Sequence, residues 1–227
     1  MYKRQEQQFV GDAAHELKTA VAVVRSSVQL MMLRRRTIDE YATGLKRVLQ
    51  DNRRVEALIA QMLQLASLEE IPPGDAPLTD LGELIAETLQ QLRPFAEERG
   101  VSLHFPHITG MQVRLSPERG VILISNLIMN AVQHSPSGRK VKISLSSEKQ
   151  GEVMFQVSDD GYGISEDALP HIFERFYRED RSRSRDTGGT GLGLSICHTI
   201  VTAARGRIVV ASAPEKGTVV RVTFMVA

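Results

Sequence analysis

Two periodicities that cannot belong to one folding unit meet at Glu69-Glu-Ile-Pro-Pro-Gly-Asp-Ala-Pro77. Upstream, apolar residues recur every three or four positions. Downstream, short alternating runs are separated by glycines and prolines. Three prolines and a glycine within so short a stretch stop any regular element, because proline lacks the N–H that helix and sheet both need. The chain therefore divides into residues 1–70, a linker at 71–78, and residues 79–227.

The first unit is a pair of helices. Val10, Ala14, Leu17, Val21, Val24, Val28 and Met31 step by four and three, the rhythm of a coiled-coil seam. Arg34-Arg35-Arg36 suits the negative end of that helix. Thr37, with Glu40 three residues on, has the form of a capping box that opens a second helix. A second seam runs through Tyr41, Leu45, Val48, Asn52, Val55, Ile59, Met62 and Ala66, widened by Leu49, Leu58 and Leu65. Two long helices and a short turn make an antiparallel hairpin. Its stripe is too broad for one hairpin to cover, so two copies are expected to form a four-helix bundle. Asn52 either fixes the register of that bundle or lies at a solvated edge.

Composition removes several alternatives. The net charge of +1 exerts no general pull toward nucleic acid or anionic lipid. One cysteine, Cys197, rules out an internal disulfide; its apolar neighbours mark it as a buried structural thiol. No window is long and apolar enough to span a bilayer, and no signal peptide opens the chain. The start reads as a helix entered in mid-course, so a piece of a longer cytoplasmic region is expected, with no direct membrane contact of its own.

In the second unit, Thr79-Asp80 can cap a helix faced by Leu81, Leu84, Ile85, Thr88, Leu89 and Leu92. Val101–Phe105 and Met111–Leu115 alternate as short strands. His104 and His107 belong to such an edge; with no cysteine or third histidine beside them they do not make a metal site. Ser116-Pro117-Glu118 starts another helix. Val141–Leu145 and Val153–Val157 form a hairpin, and Gly206–Ser212 with Thr218–Val226 form another across Pro214–Gly217.

Three signatures in this unit bear on chemistry. Asn126 and Asn130, four apart on an apolar helix, share a face; buried amides there are costly unless something binds them, and an amide oxygen is a hard ligand for magnesium. Asp159 follows a strand, where a carboxylate can accept a hydrogen bond from an exocyclic amine, while Gly161 and Gly163 let the backbone approach a flat ring. Gly189-Thr-Gly191-Leu-Gly193 opens a helix whose free N–H groups suit phosphates. Taken singly, each has a plainer reading: helix-edge amides, an ordinary turn, a glycine loop. Their order together points to a nucleotide held through magnesium. Between them, Ile172–Arg178 gives an aromatic anchor, and the polar, basic segment after it has the character of a lid, with Arg178 reaching a phosphate. Its Arg-Ser run is short and mixed with acids, which fits a solvated loop better than an RNA tract.

His15 stands one step off the first seam and points outward, with Glu16 beside it and Thr19 on its face one turn on. An isolated histidine there is ordinarily just a solvated side chain. A neutral imidazole can nevertheless attack phosphorus, with a carboxylate to take the proton.

The chain resembles the catalytic core of bacterial two-component sensor histidine kinases over nearly its whole length. Phe9–Ala20 is similar to the family's H-box, Asn126–Asn130 to its N-box, Asp159–Ile164 to its G1 box, Phe173–Arg178 to its F-box and Gly189–Leu194 to its G2 box. The resemblance implies an α+β protein: the helical hairpin, dimeric as a four-helix bundle, followed by an α/β sandwich of the GHKL ATPase type. It implies ATP and Mg2+ as cofactors, His15 as phosphoacceptor, Glu16 as base, and Glu16 with Thr19 as the E-x-x-T pair that assists dephosphorylation of the partner. It places Asn130 and Asn126 at the metal and Asp159 at adenine. Gly189, Thr190, Gly191, Leu192 and Gly193 would hold phosphates, and His134, Gly161, Gly163, Ile164, Tyr177 and Arg178 would complete the nucleotide site. The partners implied are a second copy and the receiver domain of a response regulator, whose aspartate takes the phosphoryl group. Ala20 stands where the family usually has proline, so no kink is imposed there, and Ser116 replaces a frequent Asp. The competing readings are a GHKL ATPase of another kind, a scaffold that binds nucleotide without transfer, and a kinase acting mainly as a phosphatase.

Overall fold

The computed structural model describes residues 2–69, 76–148, 151–179 and 189–226. Most of the linker, the turn at Lys149-Gln150, and most of the expected lid (180–188, with Gly188) lie outside those residues.

Helix α1 (Tyr2–Met32) and helix α2 (Ile38–Glu69) form the antiparallel hairpin. The capping box is present in both directions: Thr37 N–H donates to Glu40 Oε2 at 2.9 Å, and Glu40 N–H donates to Thr37 Oγ1 at 3.2 Å. The Thr37 N–H bond holds the Glu40 carboxyl below its usual range against an opposing desolvation, with Arg34 and Arg36 adding to the lowering. Met31 fills the space above Gly44, and Ser27 Oγ donates to Asp51 Oδ2 at 2.9 Å.

The inward line differs by one heptad position from the expected seam. Leu17, Val24 and Met31 face α2 as expected, joined by Ala20 and Ser27, whereas Val21 and Val28 remain 54% and 37% exposed. On α2 the line is Gly44, Val48, Asp51, Val55, Leu58, Met62 and Leu65, with Leu45 and Ile59 exposed. Ser27 and Asp51 sit in the seam because each satisfies the other. Asn52 lies at a solvated edge of the single hairpin, donating to Glu56 Oε1 at 2.7 Å.

After the linker come β1 (Leu78–Asp80), α3 (Leu81–Glu98), β2 (Ser102–His104), β3 (Gln112–Arg114), α4 (Pro117–Gln133), β4 (Lys140–Glu148), β5 (Glu152–Asp159), a 3-10 turn at Leu169–His171, α5 (Gly193–Ala203), β6 (Arg207–Ser212) and β7 (Thr218–Met225). Asp80 caps α3 through the N–H groups of Gly82 and Glu83, and Ser116 caps α4 through Arg119 N–H. α3 continues through Pro94 to Glu98, with Arg99 as its C-cap.

Five strands make one sheet in the order β2-β4-β5-β7-β6, parallel only between β2 and β4; β1 and β3 pair separately. On β5, Val153, Phe155, Val157 and Asp159 are buried while the intervening residues are half-buried. That is the period of two that puts one face against helices. α4 packs on β4 and β5, α3 on β2 and α5 on β6, giving a two-layer α/β sandwich. Leu58, Leu65 and Leu68 of α2 join the same hydrophobic core.

Candidate functional site

The inward period of β5 continues into Asp159, so a carboxylate occupies a core-facing position at the strand's end. It is 8% exposed. Its Oδ1 accepts from Gly161 N–H at 2.9 Å and Thr218 N–H at 3.2 Å. Desolvation pushes its pKa up to about 6; the two N–H bonds pull it down and the Asp160 charge pushes it up further. Oδ2 carries no hydrogen bond among the described residues.

The chain closes tightly around this group. A Cβ at Gly161 would collide with the His134 carbonyl, and one at Gly217 with the Asp159 carbonyl. Gly217 and Thr218 were not singled out in the sequence, although Gly-Thr directly after the turn of the last hairpin was the signal. Ser212 was missed as well: its Oγ accepts from Ile164 N–H at 2.9 Å and donates to the Gly217 carbonyl at 2.7 Å. It thereby fixes the loop carrying Gly163 and Ile164 to the end of β6.

Asn126 is 8% exposed on α4. Its Nδ2 donates to the Ile122 carbonyl at 2.8 Å, which turns Oδ1 toward α5; a Cβ on Gly193 would lie 3.0 Å from that oxygen. Asn130 is half-buried one turn further along the same face. A hard oxygen beside the first residue of a glycine-led helix suits magnesium that also holds phosphate oxygens, so the donor set fits the metal. Among the described residues no cluster of three His, Cys, Asp or Glu side chains forms a metal centre.

α5 begins at Gly193 with Leu192 in the cap position and no side-chain cap, so its first N–H groups remain available to an anion. Leu192 N–H itself donates to Thr190 Oγ1 at 3.3 Å, and the Gly191 carbonyl accepts from Phe176 N–H at 2.9 Å. Phe176 has φ of 63°, unusual for a residue with a side chain; the aromatic segment is pinned to the glycine loop at some local cost. Tyr177 lies beside it, its ring 5.4 Å from that of His171. His134 keeps an exposed edge, but the chain packed about its ring desolvates it and lowers its pKa; Arg178 adds to this and Glu179 opposes it. Cys197 is fully buried, and that burial pushes its thiol well up, as expected of a structural residue.

The structure thus gathers Asn126, Asp159, Gly161, Gly163, Ile164, Gly189–Gly193, Tyr177, Arg178 and His134 around the end of the sheet and the start of α5. His15, Glu16 and Thr19 are elsewhere, on α1. His15 is exposed and Glu16 half-buried. Thr19 Oγ1 donates to the His15 carbonyl at 2.9 Å. No hydrogen bond joins the His15 ring to Glu16 among the described residues, as expected of side chains one residue apart on a helix.

An exposed histidine on a helical hairpin, joined to a sandwich of this topology, defines a two-module class. Residues 5–71 match the His Kinase A (phospho-acceptor) domain, and residues 116–227 match the Histidine kinase-, DNA gyrase B-, and HSP90-like ATPase family. The chain belongs to the sensor histidine kinases and contains their catalytic core. It is 38% identical over 221 residues to sensor histidine kinase RppB of Synechocystis sp., covering 94% of this chain and 48% of RppB. Against signal transduction histidine-protein kinase BaeS of Escherichia coli it is 32% identical over 213 residues, covering 92% of this chain and 44% of BaeS. The chain spans about half the length of these curated relatives. In fold it is similar to histidine kinase ThkA in complex with response regulator protein TrrA, with a TM-score of 0.76, 19% identity, and coverage of 100% of this chain and 65% of that one. No described helix is long and apolar enough to cross a membrane.

Proposed function

We propose that this chain transfers the γ-phosphoryl group of ATP to His15 and from there to an aspartate in the receiver domain of a response regulator. The observation that carries the reading is the placement of the glycine loop. Thr190 Oγ1 bonds Gln61 Oε1 on α2. Met31 over Gly44 and Ser27 against Asp51 set the antiparallel register of the hairpin, and continuing that register brings Gln61 level with His15. This supports a phosphate end of the nucleotide site that meets the hairpin near the height of His15.

Each residue has a distinct task. Asp159 accepts a hydrogen bond from the adenine amine. The N–H groups at the start of α5, with Arg178, hold phosphates. Asn126 and Asn130 would hold magnesium, which would supply neutralisation of phosphate charge. A ring nitrogen of His15 forms a bond to the γ-phosphorus as the bond to ADP's leaving oxygen breaks, and Glu16 takes the ring proton after a rotamer change. In the second step the phosphorus–nitrogen bond breaks and a receiver carboxylate takes the group. Glu16 and Thr19 also fit the pattern for hydrolysing the partner's acyl phosphate. The exposed flank of the hairpin supports a homodimer. We place the chain in the cytoplasm, as part of a longer sensor.

The test is incubation with γ-labelled ATP and magnesium. An acid-labile, base-stable label is expected, and His15→Gln abolishes it. Persistent labelling of the variant removes His15 as acceptor; no labelling of the parent chain favours a nucleotide-binding scaffold.

A further inference from the structure

Leu58, Gln61, Leu65 and Leu68 follow one another on α2 at three- and four-residue steps, so they share one stripe. The three leucines are 5%, 0% and 6% exposed and belong to the hydrophobic core that continues from the hairpin into the α/β half. Gln61 is the single polar side chain in the stripe, and α2 packs there against α5. An amide in such a contact costs free energy unless it is bonded. Among the described residues its partner is the Thr190 hydroxyl, in the middle of the glycine loop. The same hydroxyl oxygen accepts Leu192 N–H at 3.3 Å. One hydroxyl therefore ties the loop to the hairpin and occupies an N–H at the start of α5, where a phosphate would bind.

We propose that Gln61 is a positioning residue that latches the glycine loop to the hairpin, and that the latch and the nucleotide's phosphates draw on that loop in competition. The proposal rests on reading Gly189–Gly193 as the phosphate site. A polar pair inside an apolar contact selects one docked register over its neighbours. Because the two interactions draw on one loop, each weakens the other by the same factor.

The experiment titrates the full chain with a fluorescent ADP analogue and magnesium. Gln61→Leu keeps the stripe apolar and removes the acceptor; it is expected to tighten binding roughly fivefold, the lower end of ordinary coupling between sites. Gln61→Ala should shift affinity in the same direction, so the result does not depend on how leucine packs. In a Thr190→Val background, Gln61→Leu should have no effect. A variant that merely loosened the fold would bind more weakly, so the sign separates positioning from structural support. Unchanged or weaker binding in both Gln61 variants overturns the latch, as does an equal gain in the Thr190→Val background. If the parent chain binds no nucleotide, the phosphate site itself fails and the latch with it.

Discussion

The hairpin and the sandwich bury their apolar residues in opposite ways. In the sandwich, Phe155, Ile124, Leu127 and Val222 are no more than 2% exposed, and strands alternate cleanly between a covered and a wetted face. In the hairpin, Val21, Leu45, Leu49, Ile59 and Leu63 are between 42% and 67% exposed on a stripe that continues past the inward seam. One half is closed as a single chain; the other is not. A contiguous apolar stripe of this kind ordinarily marks an interface. The α2 stripe of Leu58, Leu65 and Leu68 already meets the sandwich, so the Leu45–Leu49–Ile59–Leu63 flank is the one left for a second copy.

The sharpest way to break that contrast is to charge the open flank. Leu45→Glu with Leu49→Glu should convert a dimer to a folded monomer, read by sedimentation, with helical circular dichroism of the sandwich retained. A parent chain that is already monomeric at micromolar concentration would show that the flank has no such role. The matching change in the closed half is Phe155→Ala, expected to cost about 3–5 kcal/mol with no change in oligomeric state, read by denaturant unfolding. If both variants behaved alike, the two halves would not differ in the way described.

How far the sequence carried each half follows from the same difference. Helix and strand boundaries were readable because local signals agreed with tertiary ones: Thr37 with Glu40, Asp80 and Ser116 as caps, Val153–Phe155–Val157 as an inward row. The phase of the hairpin seam was not, because a broad apolar stripe offers two adjacent heptad lines. The choice between them is made by Ser27 bonding Asp51, a pair 24 residues apart. Asp159 was readable as a strand-end acid. Its second N–H donor, Thr218, lies 59 residues away and was not. Gln61 was invisible for the same reason: a glutamine in a helix announces itself only when its partner, 129 residues on, is known.

Asp159 gives a smaller test, confined to the sandwich. Its folded pKa of about 6 lies above the ordinary value of 3.8. Between those two values the folded chain holds more protons than the unfolded one, so this group's contribution to stability falls as pH rises through the window. Nucleotide binding should move the other way, because only the ionised carboxylate accepts the adenine amine freely. Affinity for an adenine nucleotide is expected to weaken as pH falls through 6 in the parent chain, and the Asp159→Asn profile should be flatter there. At neutral pH the variant should bind about tenfold more weakly, in line with the loss of one charge-assisted hydrogen bond, yet melt no lower than the parent. Equal pH profiles would remove Asp159 from the adenine contact.

The smallest effect compares one cap from each half. Asp80 does more than close α3: while Oδ1 takes Gly82 and Glu83 N–H, Oδ2 accepts Gly110 N–H at 2.5 Å from a loop 30 residues away. Asp80→Ala therefore removes a helix cap and a long-range tie together, and should cost about 1–2 kcal/mol. Thr37 closes α2 with a purely local, exposed pair of bonds to Glu40, so Thr37→Ala should lower the melting temperature by less than Asp80→Ala does. Glu40 adds a pH signature to the difference. Its folded pKa is depressed, so its contribution is present above the ordinary glutamate range and is lost as pH falls through the folded value. The gap between parent and Thr37→Ala should therefore narrow on acidification, measured by thermal melts at a series of pH values. A Thr37→Ala penalty equal to that of Asp80→Ala, or one indifferent to pH, would mean that the hairpin turn is held by more than its own four-residue box.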